Sequence, residues 1–297
     1  MNSAPRILFL DIETSPILMT SWSIRSPEAS AVWIERDTFI LMFSYKWAHE
    51  RTVKTCCLPD FPRYRRNKHD DYDLCAELFR LMDEADIICA HNGDAFDIKK
   101  INSRLITNGF PPPSSFKTID TLKAARRAFK FDSNKLDNIG RYLNEGRKIP
   151  NTGAALWRGC VNGDPKSWAT MRRYGKQDTA LLARVYERIK PWMPNHPNLN
   201  LYTNKSACPT CQSNRIKRRG LTYSKSMVRQ RWQCTDCWSA WSGETVKGGD
   251  KCENSQSNFH ARATVGSRAR SSILRATPMK KKNAKNRSTA AVRKVSK

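Results

Sequence analysis

No apolar run in this 297-residue chain approaches the roughly 18 residues that a membrane-crossing helix needs. The longest, "ILFL" at 7–10 and "FILMF" at 39–43, are strand-sized. Asp11 and Glu13 interrupt the place where a secretory signal would carry its apolar core. The chain is therefore expected to work in a cytoplasm, neither secreted nor bound to a membrane. No segment repeats, so a repeat array is excluded. No histidine lies between His91 and His196, and no acidic residue follows Glu253.

That last absence has a counterpart. Residues 201–297 hold 22 Lys/Arg against 4 Asp/Glu, whereas residues 1–200 hold 31 against 23. Basicity this one-sided points to a polyanionic partner, nucleic acid first. The ten cysteines divide along the same line. Cys56, Cys57, Cys75, Cys89 and Cys160 are scattered and read as reduced thiols. Cys208, Cys211, Cys234 and Cys237 form two tight pairs, and Cys252 stands alone with no role assigned.

Along the first two thirds, "RILFLDIET" (6–14) reads as a buried strand ending in acids. "TFILMFSYKW" (38–47) and "TVKTCCL" (52–58) read as a hairpin. Leu74, Leu78, Leu81 and Met82 recur at helical spacing, and "DIICA" (86–90) is a fourth strand. A helix closed by Gly109 follows, with Asp94 as its expected N-cap. "FKTIDT" (116–121) is a fifth strand, and the rest to about 193 is helical. Three early strands, then alternating helix and strand, predict a mixed α/β sheet, an order that resembles the ribonuclease H-like architecture. The expected division is an α/β domain over 1–193 and a Pro- and Asn-rich linker over 194–204. A Cys-bearing module over 205–243 and a disordered basic tail over 244–297 complete it.

Three short features could carry chemistry. Asp11 and Glu13, two apart on a strand, share a face and lie about 7 Å apart along it, close enough to share cations. A strand that merely ends in solvated acids would look the same. In "AHNGDAFDIKKI", Asp97 falls in the first helical turn, where the dipole favours a carboxylate in any case. In "MRRYGKQDTALL", Tyr174 and Asp178 share a helix face at i and i+4. An exposed helix carboxylate would look no different. Asp120, His91, Lys176, Arg172 and Arg173 read as structural or solvated residues.

Taken in order, these features resemble the three motifs of the DEDD 3′–5′ exonucleases, the family of polymerase proofreading domains and ribonuclease D. Asp11 and Glu13 match the first motif, Asn92, Phe96 and Asp97 the second, and Tyr174 and Asp178 the Tyr form of the third. The missing histidine removes the alternative form. The resemblance covers about residues 5–193. It implies that Asp11, Glu13 and Asp178 hold one Mg²⁺ or Mn²⁺ beside the attacking water. Asp11 would also reach a second ion, with Asp97 acting through that ion's water shell. Asn92 and Phe96 would meet the substrate strand, although core packing would explain Phe96 equally well, and Tyr174 would orient the attacking water rather than act as a base. An ordinary phenol titrates near 10, which argues the same way.

Cys208-Pro-Thr-Cys211 and Cys234-Thr-Asp-Cys237 have the spacing of a structural four-thiolate Zn²⁺ site. So small a region would draw most of its folding energy from the metal. About 36 residues here resemble the zinc ribbons at the start of some insertion-element transposases. Arg218, Arg219, Arg229 and Arg231 alternate with aromatics that include Trp238 and Trp241, the chemistry of a grip on phosphates and bases. Trp232 is expected to pack the ribbon's core.

The sequence is thus expected to encode a two-metal 3′–5′ exonuclease with a zinc-ribbon grip. Its preferred substrate would be the 3′ end of single-stranded DNA, in replication, proofreading or repair. Proofreading would require a separate DNA polymerase subunit. The alternatives are an RNA-processing enzyme of ribonuclease D type and a non-catalytic nucleic-acid-binding protein with vestigial acids.

Overall fold

The computed structural model describes residues 4–22, 33–203 and 206–245. Strands β1 (Ile7–Thr14), β4 (Ile40–Trp47), β5 (Lys54–Cys57), β6 (Ile87–Ala90) and β7 (Lys117–Asp120) form one sheet. Their order is β5-β4-β1-β6-β7. β4 pairs antiparallel with both β1 and β5, while β1–β6 and β6–β7 are parallel. This is the mixed sheet that the sequence predicts, an RNase H-like fold. Two short strands, β2 (Leu18–Met19) and β3 (Ile34–Arg36), form a separate pair; at two and three residues they carry no readable alternation.

Alternation along β1 builds the two sides of the molecule. Leu8, Leu10 and Ile12 enter a core with α1 (Tyr72–Glu84) and α2 (Asp97–Thr107). Ile7 and Phe9 enter a second core with α3 (Thr121–Ala128), α4 (Leu136–Tyr142) and α6 (Pro165–Ile189). Asp11 and Glu13 continue the Ile7–Phe9 face, the side that α6 covers. α5 (Ala154–Asn162) packs against α6.

The stretch read as a linker carries packing of its own. Leu199 is buried in the second core, and α7 (Asn200–Thr203) follows it. Leu199 N donates to Pro209 O at 2.8 Å, and Asn200 Nδ2 donates to Ala207 O at 2.7 Å. Beyond it, β8 (Ile216–Tyr223), β9 (Val228–Cys234) and β10 (Ala240–Thr245) form an antiparallel sheet in the order β10-β9-β8. Of the expected disordered tail, Glu244 and Thr245 end β10 and the remainder, with Cys252, lies outside the described residues. Among the described residues no helix is long and apolar enough to cross a membrane.

Candidate active site and four-cysteine cluster

The first two motifs meet where β1 passes the start of α2. Asp97 Oδ1 accepts a hydrogen bond from Ile12 N at 3.1 Å, which fixes it between the two acids of β1. Asp94 does not cap α2, contrary to expectation. Phe96 is the N-cap residue, and Asp94 pairs with Lys123 at 2.7 Å instead. The backbone makes a side-chain cap unnecessary. Asn92 takes a left-handed φ of 71°, and its carbonyl accepts from Phe96 N at 3.0 Å while Gly93 O accepts from Ile98 N at 2.9 Å. Gly93 permits the tight turn, since a Cβ there would lie 2.4 Å from that of Ala90.

Asp120 is engaged elsewhere than at a metal. Its side chain caps α3 through Leu122 N and Lys123 N, and it also accepts from Asn92 N at 3.0 Å. His91 braces the same region, bonding Thr121 Oγ1 and Asn134 O at 2.9 and 3.0 Å. Phe96 is 39% exposed beside this turn, open to a ligand.

The third motif arrives on α6, which lies flush on β4 because Gly175 has no side chain. A Cβ there would sit 2.4 Å from Met42 Cε and 3.2 Å from Ser44 Oγ. Ser44 Oγ bonds Gly175 O at 2.9 Å and Thr179 Oγ1 at 2.7 Å, locking the helix in place. Tyr174 and Asp178 are buried as a result. Ligand oxygens of Asp11, Glu13 and Asp178 all lie within 4.8 Å of one another, with Asp97 beside that trio rather than in it.

Two residues that sequence reasoning missed complete the site. Lys148 Nζ donates to Asp178 Oδ2 at 2.6 Å and to Tyr174 Oη at 3.3 Å. Trp157 Nε1, from α5, donates to Glu13 Oε2 at 3.2 Å. A cleft of about 610 Å³ opens alongside, its charged lining Arg126, Lys135 and Lys148 with Asp132 and Asp137, within the usual size of small-ligand sites.

Burial and crowding raise every carboxyl of the group. Desolvation, then Asp97 and Glu13, hold Asp11 well above the ordinary carboxylate range. Desolvation and Asp178 lift Glu13 to about 7. Desolvation takes Asp97 to about 6 against the opposing Ile12 hydrogen bond, and Asp178 is raised mainly by burial. Lys148 lowers all four but does not compensate them. Burial and the nearby Asp178 push the Tyr174 phenol up as well, so it stays protonated at neutral pH. Asp178 Oδ1 is buried without a hydrogen-bond partner. Clustered hard oxygens, excess negative charge and an orphaned carboxylate oxygen are the features that one or two Mg²⁺ or Mn²⁺ ions would satisfy.

The RNase_H superfamily model matches residues 28–190, more than half of the chain. The chain belongs to the RNase H superfamily. By fold and by donor set it is a nuclease of that superfamily. A similar solved structure is the family B DNA polymerase of the hyperthermophilic archaeon Pyrobaculum calidifontis, at 14% identity and a TM-score of 0.47. That match covers 75% of this chain and 31% of the polymerase chain. No curated protein matches.

The four cysteines of the C-terminal module converge, with all four Sγ atoms within 4.8 Å of one another. Cys208–Cys237 and Cys211–Cys234 Sγ distances are 3.6 and 3.7 Å. Four bonds of about 2.3 Å to a tetrahedral Zn²⁺ would place sulfurs about 3.8 Å apart, whereas a disulfide needs about 2.05 Å. Burial opposes the Cys234 thiolate, but N–H donors from Cys237 and Asp236 outweigh it and bring the thiol to about 7.

The three-stranded sheet divides the predicted nucleic-acid contacts instead of gathering them. Residues paired across a ladder share a face, and neighbours along a strand alternate. Trp232 faces Arg218 on one side and Trp241 on the other, and the Arg218 guanidinium lies 5.6 Å from the Trp232 ring centre. Trp232 is half-buried there, so it serves the ribbon's small apolar face. Arg229 and Arg231 point the opposite way, with Lys217. Arg219 occupies the register shift between Arg218 and Leu221.

Proposed function

We propose that the protein is a metal-dependent 3′–5′ exonuclease, acting on DNA, with a zinc-bound ribbon that holds nucleic acid. The observation that carries this reading is the convergence of Asp11, Glu13 and Asp178 beside Tyr174, with Asp97 pinned to β1. Divalent cations, when bound, neutralise the anionic phosphodiester and make water nucleophilic near neutral pH. Asp11, Glu13 and Asp178 would hold one ion, and Asp11 and Asp97 would serve a second.

The protein's own residues position the reaction. Trp157 and Lys148 fix the Glu13 and Asp178 carboxylates and set which lone pairs remain free. Tyr174, kept protonated, offers its hydroxyl hydrogen to the attacking water and aligns it with the scissile bond. Exposed Phe96 and the cleft beside Asn92, where Arg126 and Lys135 offer cations, would receive the end of the strand.

A degradation assay on 3′-blocked, free-ended and circular single-stranded DNA, with RNA in parallel, tests the reading. Free 3′ ends should be shortened in Mg²⁺ or Mn²⁺ and spared in EDTA. Asp11→Asn should abolish the activity, and Tyr174→Phe should leave a measurable remnant. Cleavage of circles, or full activity in Asp11→Asn, would refute it. Preferential loss of RNA would move the assignment to an RNA-processing enzyme.

A further inference from the structure

The two zinc knuckles are built alike, and the residue after each second cysteine exposes a difference. Gln212 follows Cys211 with φ 61°, and Trp238 follows Cys237 with φ 67°. This left-handed region is costly for any residue with a Cβ, and glycine is the usual occupant. At Gln212 the strain has a structural return. Its Nε2 donates to Leu199 O at 3.0 Å and to Thr203 Oγ1 at 2.9 Å, joining the ribbon to the nuclease's second core. At Trp238 the backbone closes its knuckle in the same way, Cys234 N donating to Ser239 O at 2.9 Å, but the side chain makes no comparable bond among the described residues. Its side chain is 64% exposed, and the group over its ring is the Lys217 ammonium, 5.8 Å from the centre.

Lys217 belongs to the sheet face that also carries Arg229 and Arg231. All three side chains are exposed, and Lys217, Arg229 and Arg231 have no carboxylate partner among the described residues. By contrast Arg215 is committed to Asp236. Arg229 and Arg231 stand two residues apart on β9, about 6.7 Å along the strand. That step is close to the distance between successive phosphates of an extended nucleic-acid strand. The knuckle accounts for the backbone at Trp238 but not for an exposed aromatic where glycine would serve, and that choice of side chain points to a ligand.

We propose that Lys217, Arg229, Arg231 and Trp238 form a single-strand binding track on one face of the ribbon, the arginines taking successive phosphates and Trp238 stacking on a base. The opposite face, with Arg218, Trp232 and Trp241, packs the ribbon and takes no part. The inference rests on the nucleic-acid reading of the ribbon and specifies its substrate as a single strand. Because Gln212 and Leu199 join the ribbon to the nuclease core, the track would be held in place rather than trailing on a free linker.

The test uses the full chain carrying Asp178→Asn, so that hydrolysis does not consume the probe, and measures anisotropy of a fluorescein-labelled oligothymidylate across a salt series. A duplex of equal length is run in parallel. Trp238→Gly removes the ring and relieves the left-handed backbone, so the variant should fold at least as well. It should bind the oligothymidylate about tenfold or more weakly. Arg229→Gln with Arg231→Gln should reduce the salt slope by about 1.4, the share of two phosphates on a single strand. Arg218→Gln should change affinity less than twofold. Unchanged affinity in Trp238→Gly, a larger loss in Arg218→Gln than in the double variant, or equal binding of the duplex would overturn the proposal. An inert nuclease domain whose chain binds with this pattern would sink only the exonuclease reading. A hydrolysing chain whose binding ignores Trp238→Gly would sink only the track.

Discussion

Lys148 Nζ lies 2.6 Å from Asp178 Oδ2, while the other oxygen of the same carboxylate has no hydrogen-bond partner. One carboxylate is therefore half-satisfied by a fixed cation, with its second oxygen left for a mobile one. The lysine keeps about a third of its side chain in water, whereas Asp178 is buried.

Lys148→Met should accordingly do two separable things. It should cost about 1–3 kcal/mol of stability, the penalty of leaving a buried acceptor without its donor. It should also shift the acidic limb of the pH–rate profile upward, because Lys148 lowers the pKa of all four carboxyls. Lys148→Arg should recover part of both. A rate loss with no movement of the pH profile would assign the lysine to substrate contact rather than to the carboxylates.

The raised carboxyls also predict how metal and pH act together on stability. Between about pH 5 and 7.5 the folded protein holds protons on Asp97 and Glu13, at about 6 and 7, that the unfolded chain has released. The folded state then binds more protons, so stability falls as pH rises through this window. Without added Mg²⁺ or Mn²⁺, Tm should decline from pH 5 to pH 7.5. Added Mn²⁺ should raise Tm at pH 7.5 and have little effect at pH 5, where protons compete for the same oxygens. A Tm that climbs across the window, or a larger Mn²⁺ shift at pH 5, would contradict this account of the cluster.

Much of the site is legible in the sequence because each motif is local. Asp11 and Glu13 follow from strand alternation, and Tyr174 and Asp178 from a helix face; only their convergence needs the fold. Lys148 and Trp157 left no such trace. They reach Asp178 and Glu13 across 30 and 144 residues, from a loop and a helix with no pattern of their own. Asp94 was misleading for a related reason: backbone carbonyls of the Asn92–Gly93 turn do the work that a capping side chain does elsewhere. In the ribbon, the register shift between Arg218 and Leu221 resets alternation, so basic residues adjacent in sequence part company in space.

Asp120 offers a direct contrast with the proposed metal ligands. Its carboxylate accepts from backbone N–H groups of Asn92, Leu122 and Lys123, a role that an amide oxygen can partly fill. Asp120→Asn should therefore retain much of the activity, while Asp120→Ala should lose about 1–2 kcal/mol of stability as a helix cap. The alanine variant should also lose activity through the Asn92 turn. Abolished activity in a stably folded Asp120→Asn would make Asp120 a ligand after all.

The cysteine cluster predicts one tightly held zinc per chain, independent of the ions at the carboxylates. Metal analysis of the purified protein should find about one zinc, retained through dialysis against Mg²⁺. Cys211→Ser with Cys237→Ser should remove it, since a structural site needs all four thiolates. Without the ion the ribbon has little apolar core to hold it, so β8, β9 and β10 should lose protection in hydrogen exchange. The loss should stop at α7. Leu199 is buried among nuclease residues, whereas Gln212, which bonds it, depends on the first knuckle for its left-handed backbone. Hydrolysis by the double variant should persist with weakened binding. Exchange that spreads through β1 and α6 would show instead that the nuclease domain depends on the ribbon for its own stability.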